Sequence, residues 1–387
     1  MLARSTSEVH RASTPLELFF DLIFVVAISL NAAGLHHGIA EGHASGALLS
    51  YGMQFMVIWW AWMGFTWFAS AFDTDDVPYR LMVFVQMAGS LVIAAGIPAA
   101  FEHFDFRTIT VGYTIMRVGL ISLWLRAGKN NPPLKPTTQH YVVGLIALQL
   151  LWIGLLFMPK TWMVPGFAIL IVLEMLLPIW SERSRKTSWH PEHIRERYSL
   201  FTIIVMGESI LATVLAIKNS LITEGMSADA MLVIFCALLI LLSTWWLYFD
   251  KPDVDMEQQG PLQVFIWSYG HYFIFASVAA MGVGLALSVE FVNGSLHIGQ
   301  QPVQWAIAIP VAVYLLSLWL VHFDQIKHSA VAKFLFPLVA ALVLASTTLA
   351  QVSHSMMAIA ALTCCLLATL LFHHYDATPV ASRHHTA

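Results

Sequence analysis

Long apolar runs, each ended by a short polar stretch, follow one another along the whole chain. A helix that crosses the hydrocarbon core of a bilayer needs about 20 mostly apolar residues. On that measure the pattern predicts twelve spans. The first six cover 16–35, 46–68, 79–99, 108–125, 139–158 and 162–180, and the second six cover 198–217, 229–249, 264–289, 303–323, 330–351 and 353–373. The expected fold class is an all-α polytopic integral membrane protein of about twelve transmembrane helices, arranged as two parallel six-helix repeats. No polar stretch is long enough to fold a separate core. The first run has full-span length and contains acids, so an uncleaved first span is expected rather than a shorter leader core.

Composition agrees with the pattern. Of the residues, 58% are hydrophobic and 11% charged, against about 45–50% and about 25% in soluble domains. With twelve spans and a cytoplasmic N-terminus, 15 Lys and Arg fall in or beside cytoplasmic segments and 3 on the other side, a clear positive-inside bias. The densest basic stretch, 181–197, reads as a cytoplasmic linker between a first half, 1–180, and a second half, 198–373. Residues 374–387 form a His-containing cytoplasmic tail. The net charge of −4 gives no sign of a nucleic-acid partner. Cys236, Cys364 and Cys365 all sit in apolar runs and read as core thiols.

Short matches relate the halves. "LISLWL" at 120–125 resembles "LLSLWL" at 315–320, "VFVQMAG" at 83–89 resembles "VFIWSYG" at 264–270, and "WFASAFD" resembles "WWLYFD", with Asp73 and Asp250 just past a membrane edge. Six spans is an even number, so the repeat is expected to be parallel, a plan that many transporters share.

Charges inside spans are costly and usually face a protein interior or water. The candidates for ion or substrate binding are therefore Asp21, Glu208, Glu17, Arg117, Glu174 and His271. Glu17 and Asp21, four apart, share a helix face. Such a pair can hold a proton, bind a cation or clamp a base. Glu17, in the first turn after Thr14 and Pro15, can also serve simply as a helix-start acid. Glu208 lies mid-span after Gly207, which would allow close helix approach, and before Ser209. Glu174 precedes Pro178 by four residues and can satisfy donors near a kink. Arg117 is expected to pair with one of the acids, and His271 is either a titrating group or a packed, hydrogen-bonded one. Trp59, Trp60 and Trp62 lie too deep for an interface belt; tight packing is expected, with cavity lining as the alternative.

No metal and no cofactor are expected. His36, His37 and His43 read as a solvated loop, and the acidic run 250–257 lacks calcium-loop spacing. "AFDTDDVPYR" (Asp73, Asp75, Asp76, Arg80) resembles a diacidic metal site only loosely. There is no Gly-rich phosphate loop, no nucleophile elbow and no redox CxxC.

"TPLELFFDLIFVVAIS" and "ERYSLFTIIVMGESIL" resemble the two signature stretches of the bacterial low temperature requirement A family. The resemblance covers nearly the whole chain and marks Glu17, Phe20, Asp21, Glu196, Arg197, Gly207, Glu208 and Ser209. It implies a multi-span membrane protein and no particular reaction; the expected location is the bacterial inner (plasma) membrane, with both termini cytoplasmic by the Lys and Arg bias. The first span is also similar to the first-helix motif of a potassium-channel family built from six-span repeats, but Phe20 and Pro15 replace a Ser and an Arg of that motif. The leading expectation is a transporter or channel for a small solute or ion, using buried carboxylates as cation or proton sites, with the lipid bilayer as its surroundings. The alternatives are a membrane-embedded enzyme acting on a lipid or isoprenoid substrate, and an accessory or sensory protein linked to low-temperature growth. Oligomeric state is not legible.

Overall fold

A computed structural model describes residues 1–5, 8, 11–223, 227–249, 260–323 and 330–349. Among these residues there are helices and no strand. The helices are α1 (Pro15–Ala40), α2 (Ala44–Phe72), α3 (Val77–His103), α4 (Arg107–Asn130), α5 (Lys135–Leu155), α6 (Met163–Ser181), α7 (Pro191–Thr223), α8 (Ala228–Phe249), α9 (Pro261–Val292), α10 (Gln300–Val321) and α11 (Ala330–Leu349). The first ten are long and apolar enough to cross a membrane. Predicted span 353–373, the tail, Cys364, Cys365 and the acidic run 250–257 lie outside the described residues.

Most of the helices run past the predicted apolar spans at one or both ends, because an intrahelical hydrogen bond satisfies the backbone in water and lipid alike, whereas α5 and α10 stop at Leu155 and Val321, short of the predicted ends at 158 and 323. The largest difference is at α7. The stretch 181–197 reads as a linker, yet α7 begins at Pro191, and His193 and Arg197 within it are fully buried. The start of α1 follows local chemistry. Thr14 Oγ1 accepts from the Glu17 backbone N–H at 3.2 Å, and Glu17 Oε2 accepts from the Thr14 N–H at 2.8 Å. With Pro15 at the first helical position, this is a reciprocal capping box.

The polarity of α1 is inverted relative to a soluble helix. Glu17 and Asp21 have no exposure, while Phe19 and Leu22 are 51% and 55% exposed. Leu150, Val143 and Ile169 are likewise exposed on α5 and α6. Acids inside and large apolar side chains outside suit a hydrocarbon surround.

The chain divides into two compact units. The first comprises Met1–Gly34 and Gly46–Ile204; the second comprises Leu35–Ser45 and the chain from Val205 onward. In the first, α3 packs on α4, α4 on α5 and α5 on α6; in the second, α8 packs on α9, α9 on α10 and α10 on α11. Gly89 of α3 and Gly112 of α4 let their helices approach closely. A Cβ on either would stand 2.6 Å from the other's backbone oxygen. Gly207, read as a close-approach residue, is exposed with nothing within 4 Å of a Cβ; the tight contact in that region is Gly282 of α9 against Ser209. Gly112→Ala is therefore expected to cost about 1–3 kcal/mol by overpacking. Gly207→Ala should stabilise by about 0.5–1 kcal/mol through helix propensity. Thermal unfolding of the two variants in detergent checks the contrast.

Candidate functional site

The predicted site residues fall into three groups. The first gathers Glu17 and Asp21 of α1 with α2, α7 and the N-terminal segment, all within the first unit. Arg197 spans both carboxylates. Its Nε and Nη2 donate to the two oxygens of Asp21 at 3.0 and 2.5 Å, and its Nη1 lies 3.2 Å from Glu17 Oε1. Trp62 Nε1 donates to Asp21 Oδ1 at 2.7 Å, and His193 Nε2 lies 3.1 Å from Glu17 Oε1. Arg11 approaches Glu17 at 3.8 Å while it donates to the last carbonyls of α2, those of Ala69 and Ser70. Trp62 also stacks on Phe201, and Phe20 packs on Phe65. The acids at 17 and 21 thus meet bases at 193 and 197 with the same four-residue helical spacing. Asp21 is clamped by Arg197 rather than Arg117, and both its oxygens are already occupied. Glu17 performs the helix-start role and joins the clamp. The arrangement ties α1, α2 and α7 together through paired, fully buried charges. Arg197 and Arg11, two of the charges assigned to cytoplasmic loops, are inside it.

The candidates read from the sequence left out His193, Arg11 and Trp62, and Arg197 entered only through the family resemblance. The signal was present: His193 and Arg197 repeat the spacing of Glu17 and Asp21.

The second group, also in the first unit, is the Arg117–Glu174 pair between α4 and α6. Arg117 Nη2 donates to Glu174 Oε1, and its Nη1 donates to the Leu145 carbonyl at 3.0 Å. Two indoles complete the carboxylate: Trp152 Nε1 donates to Oε1 at 2.8 Å and Trp60 Nε1 to Oε2 at 3.1 Å. The Arg117 guanidinium also stands 4.9 Å from the centre of the Tyr113 ring, a favourable cation–π distance. So Arg117 does pair with one of the predicted acids, and Glu174 serves this base rather than the Pro178 kink.

Two cavities flank that pair. One, of about 550 Å³ including the part open to the outside, is lined by Trp60, Tyr113, Gln149, Trp152, Phe167 and Glu174 among others. The other, about 360 Å³ on the same basis, is lined by Gly64, Gln86, Leu145 and Arg117. Trp60 and Tyr113 line both. Glu174 faces the first cavity and Arg117 the second, so the ion pair stands between them. Tight packing was expected of Trp60; it is instead a cavity wall, because the neighbouring α4, α5 and α6 positions leave space beside it.

The third group lies in the second unit. His271 Nε2 is 3.1 Å from the Tyr248 hydroxyl and its Nδ1 is 2.6 Å from the Trp267 carbonyl. It is the packed, hydrogen-bonded histidine. Glu208 is buried on α7 beside Ser209, whose hydroxyl meets the Val278 carbonyl at 2.8 Å.

The three acids just after α2, Asp73, Asp75 and Asp76, each lie near arginines. Asp75 pairs with Arg80 at 2.8 Å. Asp76 caps α3 by accepting from Tyr79 N–H at 3.0 Å and also accepts from Arg126, which holds its pKa down at about 2. Asp73 is buried near Arg4 and Arg11, at 3.7 and 3.9 Å. Burial pushes its carboxyl upward, and it lowers the Arg11 guanidinium as well. Among the described residues no three or more His, Cys, Asp and Glu converge as metal ligands. In the stretch read as loosely diacidic, Asp75 and Asp76 each carry an arginine partner. His36 and His37 pair separately, with Glu290 at 3.0 Å and Glu41 at 3.2 Å.

Comparison with known proteins adds two findings. A family model described as bacterial low temperature requirement A protein matches residues 12–371. The uncharacterized protein RA0937 of Rhizobium meliloti (strain 1021) is 29% identical over 300 aligned residues, which cover 73% of this chain and 71% of that protein.

Proposed function

Because the chain belongs to the bacterial low temperature requirement A family and carries, among its described residues, ten helices fit to cross a membrane, we propose that it moves a small solute or ion across the bilayer, with the cavities beside Arg117 and Glu174 as its binding site. One observation carries this reading: a buried, hydrogen-bonded ion pair borders two cavities inside one helical unit. An intramembrane charge pair is costly to bury, and a pair needed only for packing has no reason to border open space on both sides. By contrast, the Asp21–Arg197 clamp borders neither cavity and has its oxygens filled. The solute site proposed here therefore uses Glu174 rather than Asp21.

The wider frame is proposed with it: twelve spans in two parallel repeats, in the bacterial inner membrane, both termini cytoplasmic. Two observations support the frame. The Lys and Arg bias favours that orientation. The predicted partners α3–α4 and α9–α10 each pack closely in their own unit, with Gly89 and Gly112 at one crossing and Gly284 against Ala306 at the other. Burial does not follow the repeat, since the two most enclosed helices are α2 and α9, which are not counterparts.

The test is uptake into proteoliposomes of labelled sodium, potassium, a primary amine and a carboxylate. Saturable uptake of at least one of them, absent from protein-free vesicles and reduced at least tenfold by Trp152→Ala, is expected. Uptake of none, or uptake indifferent to Trp152→Ala, would remove the cavity from the function.

A further inference from the structure

The polar wall of the cavity beside Glu174 has a definite hydrogen-bonding sense. Gln149 of α5 lines it and is only 7% exposed. Its Nε2 donates to Thr114 Oγ1 at 2.6 Å, and the Thr114 hydroxyl in turn donates to the Thr110 carbonyl at 2.8 Å. A hydroxyl has one proton. Since Thr114 spends that proton on Thr110, it can only accept from Gln149. This chain assigns the amide nitrogen to the end that meets Thr114. The remaining end is the carbonyl oxygen Oε1, and no donor among the described residues meets it. Glu174 repeats the pattern. Its Oε1 receives Arg117 and Trp152, while Oε2 receives only the Trp60 indole, which leaves acceptor capacity. Both spare positions are acceptors. Around them the wall is aromatic: Trp60, Trp152, Phe106 and Phe167.

We propose that this cavity takes a small organic cation: a protonated amine on an apolar or aromatic body. Its N–H groups satisfy Gln149 Oε1 and Glu174, and its charge faces the negative faces of the indole and phenyl rings. Its body replaces water against the apolar wall. A carboxylate would meet two acceptors and be rejected, and a neutral molecule without a donor would leave Gln149 unpaired. The inference deepens the transport reading and relies on it for the meaning of the site, but binding is measured apart from movement.

The experiment is isothermal titration of the purified full chain in detergent with three probes of similar size: phenethylammonium, benzyl methyl ketone and hydrocinnamate. Phenethylammonium is expected to bind, the ketone at least about tenfold more weakly, and hydrocinnamate more weakly still. Gln149→Leu should weaken phenethylammonium by about tenfold, because it deletes one charge-assisted acceptor. Gln149→Glu keeps the acceptor, adds negative charge and should bind at least as tightly as the unaltered protein. It also keeps the test open if the leucine variant does not fold. No binding of phenethylammonium, equal binding of hydrocinnamate or the ketone, or unchanged affinity in Gln149→Leu would overturn the assignment. Binding without any uptake would sink the transport reading and leave the ligand class standing. Uptake confined to the carboxylate would do the reverse.

Discussion

Methionine in place of Arg197 is expected to cost about 3–5 kcal/mol of stability, the range for breaking a buried ion pair from one side. Arg197 is fully buried and holds Asp21 through two donors, lies 3.2 Å from Glu17 and reaches Thr66 at 3.4 Å. Without it, two carboxylates on one face of α1 stand together in a dry interior, with His193 beside Glu17 and only the Trp62 indole still donating to Asp21. Like charges at that spacing repel, and burial adds to the penalty. Lysine is expected to recover only part of the loss. A single ammonium cannot present the guanidinium fork that grips both oxygens of one carboxylate while touching another. The double variant Asp21→Asn with Arg197→Met should regain more than half of the lost stability, because it removes charge from both sides. Thermal unfolding in detergent and the monodisperse fraction after purification read these outcomes. An Arg197→Met protein with an unchanged unfolding midpoint would show that the clamp is not what holds α7 to α1 and α2.

The Arg117–Glu174 pair should behave differently. Glu174→Leu alone strands a buried guanidinium and two indole N–H groups, and a loss of about 3–5 kcal/mol is again expected. Arg117→Met combined with Glu174→Leu replaces both charges by apolar groups of similar size, an exchange that is often neutral in stability. Two orphaned indoles remain, at about 1–3 kcal/mol each when fully buried, but both side chains border a cavity and can meet water there. The double variant is therefore expected to fold, with an unfolding midpoint much closer to that of the unaltered protein than Glu174→Leu. It is also expected to lose uptake altogether. Folding restored together with full uptake would make the pair a packing device.

Much of this was legible in the sequence, and the failures have physical causes. Of the twelve spans that the apolar runs predict, ten match helices long and apolar enough to cross a membrane among the described residues, because hydrocarbon thickness sets span length directly. The same scan began the seventh span too late, at 198 rather than at Pro191: His193 and Arg197 are ionisable, and a hydropathy threshold cannot tell a solvated charge from one that is buried with a partner. The family resemblance already marked Arg197, and the spacing of four shared with Glu17 and Asp21 was the local clue. That Arg117 needs an acid followed from desolvation cost alone. That the acid is Glu174, 57 positions away, depends on how α4 meets α6, which no local pattern encodes. Trp60 shows the same limit. Its own neighbourhood is crowded with aromatics, and the space beside it is decided by side chains on α4, α5 and α6. Gly207 stood next to the buried Glu208 and so looked like a contact residue, whereas the contact is made one helix away, by Gly282.

The central claim is that the solute site lies at Glu174 and Gln149 in the first unit, while Asp21 and Arg197 hold the fold together. Uptake of labelled phenethylammonium into proteoliposomes tests it most directly, comparing the unaltered protein with Gln149→Leu and with the Asp21→Asn, Arg197→Met double variant, each at matched amounts of folded protein. The account predicts saturable uptake by the unaltered protein and by the double variant, and about a tenfold loss in Gln149→Leu. Unchanged uptake in Gln149→Leu, with uptake abolished in the folded double variant, would contradict it and return the site to Asp21.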